Sequence, residues 1–458
     1  MLRTDGRKIV DGGGSQVMLR GYNIGSWMMM ENFMLGTPGV EQHLRKYLRE
    51  YAGEEKASRF FESFLNTFIQ EKDIRFLKEI GCDHVRIPFN YRHFESGGGP
   101  LSFKPEGFAH LDRVIGYCRR HGLYAVLDLH AAPGYQNADW HSDNFTNRTG
   151  LFDNGFNQRR LAGLWRFIAD HYKDDETVAG YGIMNEPVCR GEAGTAALNK
   201  AYRSAGEAIR EADSRHILFI EGNLWGRSFA GFDEPWDGSV VCSVHYYTQP
   251  GLFNMGYPGW NDSEVYMDRG YLAQQMAPRD DYARRHGLPV WVSEFGLIYS
   301  EKHNEDKMRV LADQFSVFRE LGYGWAQWSY KDAGSMGVVY FDPKGKWMEL
   351  IGGVIKKKRR YRADFDPMEG GAWDMMDALR PFLRGGFADP AAVEERVKRQ
   401  LSAVLAEELC KDFCRQLADM DQRDIDGLMS SFDLDNCLVR NDWKQLISEN
   451  LEVIKPDT

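Results

Sequence analysis

Eight short runs of apolar, β-branched and aromatic residues constrain this chain most. They lie at 17–25, 84–90, 124–130, 178–186, 216–222, 240–247, 289–295 and 324–330. Longer stretches of helical spacing separate most of them. Phe108, Leu111, Val114, Ile115 and Cys118 recur mostly three or four apart, as do Met308, Leu311, Phe315 and Phe318. Strands that alternate with helices pair in parallel, and eight such units predict an α/β fold closed as a (β/α)8 TIM barrel. The least regular connection is 223–238, which reads as loop rather than helix.

Polar residues collect at one end of these runs. Arg86, His130, Glu186, Glu221, His245, Glu294 and Trp328 stand at or near the carboxyl ends of their strands. In a barrel those ends form the rim on which active sites are built. Any one of them is explained by a strand-terminal cap or a satisfied core group. Seven on one rim read as a site.

Two of the seven carry the chemistry. Ile183-Met184-Asn185-Glu186-Pro187 and Val290-Trp291-Val292-Ser293-Glu294-Phe295-Gly296 each run an apolar stretch into a glutamate. A carboxylate at the end of a buried strand is costly unless it is bonded or at work. A facing pair is what glycosidic cleavage requires: one carboxyl protonates the leaving oxygen and the other faces the anomeric carbon. The ionised member is expected to raise its partner and keep the acid loaded. Arg86 can hold a nucleophile ionised, and Asn185 can donate to a sugar 2-hydroxyl. His245 and Tyr247 share one side of a strand, so one can bond the acid and the other the nucleophile. Trp328 offers a flat face to a sugar ring.

These residues, in this order, resemble the retaining β-glycosidases of glycoside hydrolase family 5. The family's functional positions find matches at Arg86, His130, Asn185, Glu186, His245, Tyr247, Glu294 and Trp328, over roughly residues 15–350. The resemblance implies that Glu186 is the acid/base and Glu294 the nucleophile. Arg20-Gly21-Tyr22-Asn23-Ile24-Gly25-Ser26-Trp27 with Glu31, and Asp128 to Asn137, are similar to exo-β-1,3-glucanases within the family. That similarity implies that Glu31 and Asn137 grip the terminal sugar. It gives the expectation of an exo-acting enzyme on β-glucosides and β-glucan oligosaccharides, with an exo-β-mannosidase as the alternative. The segment 139–144 and the C-terminal tail depart from the exoglucanase pattern.

Trp140, Trp225, Trp260 and Trp347 are assigned to rim loops. The insertion 248–267 is assigned to a wall closing one end of the cleft. Residues 1–388 form the expected catalytic barrel with its closing segment, including a short helix at 373–383. Residues 389–458 form a helical C-terminal extension, with Asp389 as N-cap and further helices near 413–429 and 441–451. Asp433-Leu434-Asp435-Asn436 has the acidic spacing of a calcium loop but lacks the glycine such a loop needs.

The formal net charge of -10 disfavours a phosphate-tracking nucleic-acid binder. No run of about 18 apolar residues predicts a membrane span. The opening residues lack a signal-peptide core, and seven scattered cysteines show no zinc spacing. The expectation is a cytoplasmic enzyme that needs no metal or cofactor. A secreted mature form, for which the sequons at Asn144 and Asn147 would matter, stays open. Two other classes stand as alternatives: a metal-dependent hydrolase using His130, His141 and His245, and an inactive carbohydrate-binding barrel.

Overall fold

The computed structural model describes residues 1–96, 101–361, 379–383 and 386–452. Its centre is a closed barrel of eight strands. They are β1 (Arg20–Asn23), β2 (His84–Asn90), β3 (Tyr124–Ala131), β4 (Val178–Gly182), β5 (Ile217–Glu221), β6 (Val240–His245), β7 (Val290–Phe295) and β8 (Gly324–Gln327). Neighbours pair in parallel, and β8 closes on β1 with Trp325 opposite Arg20 and Gln327 opposite Tyr22.

Side-chain alternation gives the barrel an apolar floor and a polar rim. Along β5, every second residue (Ile217, Phe219, Glu221) passes from floor to rim; β6 does the same with Val241, Ser243 and His245, and β3 with Val126, Asp128 and His130. The apolar members form one buried cluster with Leu19, Ala179, Trp291 and Ala326. Leu2 and Ile9, from the antiparallel hairpin of Arg3–Asp5 and Lys8–Val10, complete that cluster. The outer faces of the strands pack against the helices. On Phe108–His121 the buried set is the one its spacing predicts. Between β5 and β6 there is only a turn at Asn223–Gly226, in which Leu224 and Trp225 take left-handed backbone.

After the helix Lys346–Tyr361, the C-terminal region folds back on the barrel. Asp389 accepts from the Ala392 amide and Pro390 opens the helix Pro390–Asp419. That helix runs unbroken for 30 residues because no glycine or proline interrupts it after Pro390. The helices Gln422–Met429 and Asn441–Glu452 follow. The strand Cys437–Val439 pairs antiparallel with Val339–Phe341. Phe413, Phe432 and Trp443 enter the same core as the barrel's own helices. Trp347, assigned to a rim loop, is instead buried there against Phe413 and Phe432, its indole N–H bonded to the Leu35 carbonyl. Lys72 pairs with both Asp433 and Asp435, filling the acidic loop with an ammonium. The helix expected at 373–383 falls mostly outside the described residues. All seven cysteines are free thiols. Among the described residues, no helix is long and apolar enough to cross a membrane.

Candidate active site

Arg86 sits at the centre of the rim, fully buried. One guanidinium nitrogen donates to Glu294 Oε1 at 2.6 Å and Asn23 Oδ1 at 2.9 Å; the other donates to Asn185 Oδ1 at 2.7 Å and pairs with Asp128 at 2.8 Å. Burial opposes its charge, but Asp128, Glu294 and Glu221 hold the proton on well above the ordinary arginine value.

Glu294 reaches this point through an irregularity in β7. The register shifts between Val292 and Glu294 on the β6 side, and between Val292 and Phe295 on the β8 side. Such a shift re-aims a side chain, so Trp291, Ser293 and then Glu294 face the interior instead of strict alternates. Tyr247 donates its hydroxyl to Glu294 Oε2 at 2.9 Å. Burial, then Glu294, Glu186 and Glu31, push the Tyr247 phenol well up, so it stays a donor.

Glu186 stands beyond the end of its strand. The sheet stops at Gly182, and residues 183–187 form a loop rather than the strand their composition suggests. Glu186 takes a left-handed backbone, φ 47°, a strained setting for a residue with a side chain. Two contacts hold it: its N–H donates to Glu221 Oε1 at 2.7 Å, and its carbonyl accepts from Asn137 Nδ2 at 2.9 Å. Its carboxylate lies 2.7 Å from His245 Nδ1 and 2.9 Å from His141 Nε2. Burial favours a protonated Glu186, but these two imidazoles outweigh it and pull the carboxyl well below the usual range. The expectation of a raised Glu186 therefore does not describe the resting site, because the flanking imidazoles hold the protons. His245 is kept protonated against burial by Glu221, Glu294 and Glu186, and His141 against burial chiefly by Glu186.

His245 joins the two halves of the site. Its Nδ1 lies between Glu186 and Glu294 (3.4 Å to the latter) and its Nε2 is 3.1 Å from Glu221. One oxygen of Glu186, one of Glu294 and a ring nitrogen of His245 all lie within 4.8 Å of one another. The three are joined as a hydrogen-bonded charge cluster, with His245 Nδ1 between the two carboxylates. His130, His141 and His245 each lie within reach of carboxylates, His130 of Asp128 and Glu31, His141 of Glu186.

His130 pairs with Asp128 at 3.0 Å and lies 3.4 Å from Glu31. Burial opposes its charge, but those carboxylates raise it to about 9. Its ring stacks on Trp328 at 5.2 Å and 9°, so one face of the indole is occupied by protein. Glu31 is buried beside it, with Oε1 the oxygen that faces His130. Asn185, its Oδ1 fixed by Arg86, turns its amide nitrogen toward His130 Nε2 at 3.4 Å. Asn137 departs from its expected role as a sugar contact. It is wholly buried, with Oδ1 accepting from the Asp139 amide and Nδ2 donating to the Glu186 carbonyl. It holds the Glu186 backbone from behind.

His141 as a partner of Glu186, and Asp128 and Glu221 as supports, are the residues sequence reasoning placed least well. Glu221 was legible as a rim acid. Burial raises it, with His245 and Arg86 offsetting part of that. His141 arrives from a loop whose path no local pattern reveals. In the same loop Asn144 is buried and donates to the Asn137 and Arg148 carbonyls, which leaves that sequon inaccessible in the fold.

A rim of this shape, with two glutamates facing each other across a charged histidine, defines a glycoside hydrolase of the barrel class. The family model described as Cellulase (glycosyl hydrolase family 5) matches residues 49–334. A beta-xylosidase of Phanerodontia chrysosporium is 34% identical over 478 aligned residues, which cover 99% of this chain and 98% of that protein. Probable glucan 1,3-beta-glucosidase A of Emericella nidulans is 28% identical over 261 residues, 53% of this chain and 60% of that one. Thermotoga maritima Cel5A, solved in complex with mannotriose, shares the fold with a TM-score of 0.51 and 21% identity, over 70% of this chain and 92% of its own. The chain belongs to glycosyl hydrolase family 5 and is an O-glycosyl hydrolase acting on β-glycans.

Proposed function

We propose that the chain is an exo-acting, retaining β-glycosidase that works by double displacement, with Glu294 as nucleophile and Glu186 as acid/base. The observation that carries this reading is the spacing of the two carboxylates, one oxygen of each within 4.8 Å of the other. Retention needs the carboxyl groups about 5–5.5 Å apart, whereas inversion leaves about 6.5–9.5 Å for a water.

Glu294, paired with Arg86 and oriented by Tyr247, attacks the anomeric carbon. The bond from that carbon to the glycosidic oxygen breaks as its bond to the Glu294 oxygen forms. The departing oxygen takes a proton from Glu186, which draws on the protons held at His141 and His245. Forming the ester consumes the negative charge of Glu294, so the cluster holds protons less tightly and Glu186 becomes the base for water. Water adds to the anomeric carbon and releases Glu294. Asn185, with its amide orientation fixed by Arg86, supplies an N–H to the 2-hydroxyl.

The β-xylosidase relative, matched over nearly the whole chain including the C-terminal helices, favours β-xylosides. The shorter similarity to a glucan 1,3-beta-glucosidase favours β-glucosides. Exo action is supported by the loop after β6. It carries the helical turn Gln249–Leu252 and the hairpin of Gly259–Trp260 with Tyr266–Met267, in which Trp260 stands 68% exposed. Aryl β-xyloside, β-glucoside and β-mannoside, with the matching oligosaccharides and sized products, test this. Release of a single sugar from a xylo- or gluco-oligosaccharide is expected; longer initial products, or preference for the mannoside, would overturn it. A cytoplasmic location is proposed on the seven free thiols, which suit a reducing compartment, and cell fractionation tests it.

A further inference from the structure

The C-terminal helix Pro390–Asp419 reaches the acid side of the site through one residue. Arg399 pairs with Asp139, which also accepts from Trp225 Nε1 at 2.7 Å. Two flanking bonds fix the register of this contact: Asn147 Nδ2 to the Arg399 carbonyl at 3.5 Å, and Gln400 Nε2 to the Thr146 carbonyl at 3.1 Å. Asp139 is itself buried, and its amide donates to Asn137 Oδ1 at 2.9 Å. Asn137 Nδ2 then donates to the Glu186 carbonyl at 2.9 Å, and His141, whose Nε2 faces the Glu186 carboxylate, belongs to the same loop. Three bonded contacts, through Asp139 and Asn137, therefore link an arginine on the extension to the strained backbone of the acid. The other anchor of that backbone, Glu221, lies on β5 and is independent of this path.

We propose that Arg399 is a positioning residue for proton transfer by Glu186, acting through Asp139 and Asn137, and that the C-terminal helix is thereby part of the catalytic apparatus. The inference rests on Glu186 being the acid. Without the guanidinium, Asp139 keeps a buried charge whose remaining side-chain donor is the Trp225 indole. The 137–141 segment then relaxes and draws Asn137 and His141 away from Glu186. Small misplacements of a catalytic group are costly, on the order of 10²-fold for ~1 Å.

The consequence is specific to substrates that need a proton. A 2,4-dinitrophenyl β-glycoside leaves as a stable anion, whereas an unactivated disaccharide does not. Steady-state kinetics of the full chain on both, with Arg399→Met, Arg399→Lys and Glu186→Ala, reads the effect. Arg399→Met is expected to lower kcat/KM on the disaccharide by about tenfold and on the dinitrophenyl glycoside by less than about twofold. Arg399→Lys is expected to recover most of the loss, and Glu186→Ala to show a larger split of the same kind. Equal losses on both substrates, or no loss on either, would overturn the positioning role. If Glu186→Ala shows no split, the acid assignment itself fails and takes this inference with it. Arg399 lies at the surface end of the contact, 31% exposed, so its replacement leaves the core untouched.

Discussion

Replacing Arg86 with methionine keeps much of the side chain's bulk and removes the cation on which the nucleophile's side of the rim depends. Glu294, Asp128 and Glu221 then share a buried space with their common counter-ion gone. At a charge separation of about 4 Å and an effective dielectric of ~20, one such pair is worth roughly 4 kcal/mol. Tyr247 and His245 still serve Glu294, and the orphaned groups relax or take up protons. The net loss should therefore be about 3–5 kcal/mol, as for other broken buried pairs. That is a large share of the ~5–15 kcal/mol by which domains are stable. The loss carries a pH signature. Burial already raises Glu221, and loss of the Arg86 charge that offsets part of this makes that carboxyl bind protons more tightly folded than unfolded. Its penalty is fully present above the raised folded value and is relieved as the pH falls through that value toward the ordinary carboxylate range. Urea unfolding followed by circular dichroism, on wild type and Arg86→Met at about pH 7.5 and about pH 5.5, measures both effects. The deficit should shrink by about 2 kcal/mol at the lower pH. A deficit below about 1 kcal/mol, equal at both pH values, would refute the reasoning.

Glu294→Ala should lower kcat by about 10⁴-fold or more, with azide restoring part of it as a glycosyl azide of inverted configuration; near-normal turnover would mean that another group attacks. Lys307 is buried and donates to the carbonyls of Pro250, Gly251 and Phe253, which anchors the loop after β6. Burial pushes its amine from 10.5 down to about 8, so between those values the unfolded chain holds the extra proton and this residue's contribution to stability rises with pH. Lys307→Met should remove about 1 kcal/mol per pH unit of that rise, and parallel pH–stability curves across the window would contradict it. Turnover should persist in excess EDTA, since the ring nitrogens of the site are committed to carboxylates; loss of activity restored by a divalent ion would revive a metal reading.

The barrel was legible because its strands are buried on both faces and read as apolar runs, with the chemistry at their carboxyl ends. Arg86, His130, His245, Tyr247 and Glu294 fell where those runs placed them. The fourth run was read too long. Ile183 and Met184 are as apolar as any strand residue, yet the chain leaves the sheet at Gly182 to carry Glu186 in a conformation that only tertiary contacts sustain. The direction of the Asn137 amide was not legible, because its motif fixes its place in the chain and not what that amide bonds. His141, Arg399 and Trp347 were misplaced or missed for a related reason. Each meets its partner by the return of a loop or helix across a long sequence separation, and periodicity carries no trace of such a return.

The anomeric configuration of the first product tests the central claim most directly. Proton NMR during early turnover of an aryl β-glycoside, before the free sugar mutarotates, should show the β-anomer appearing first and the α-anomer growing in afterwards. If the α-anomer appears first, a water rather than Glu294 attacks the sugar, and the two glutamates do not work as described.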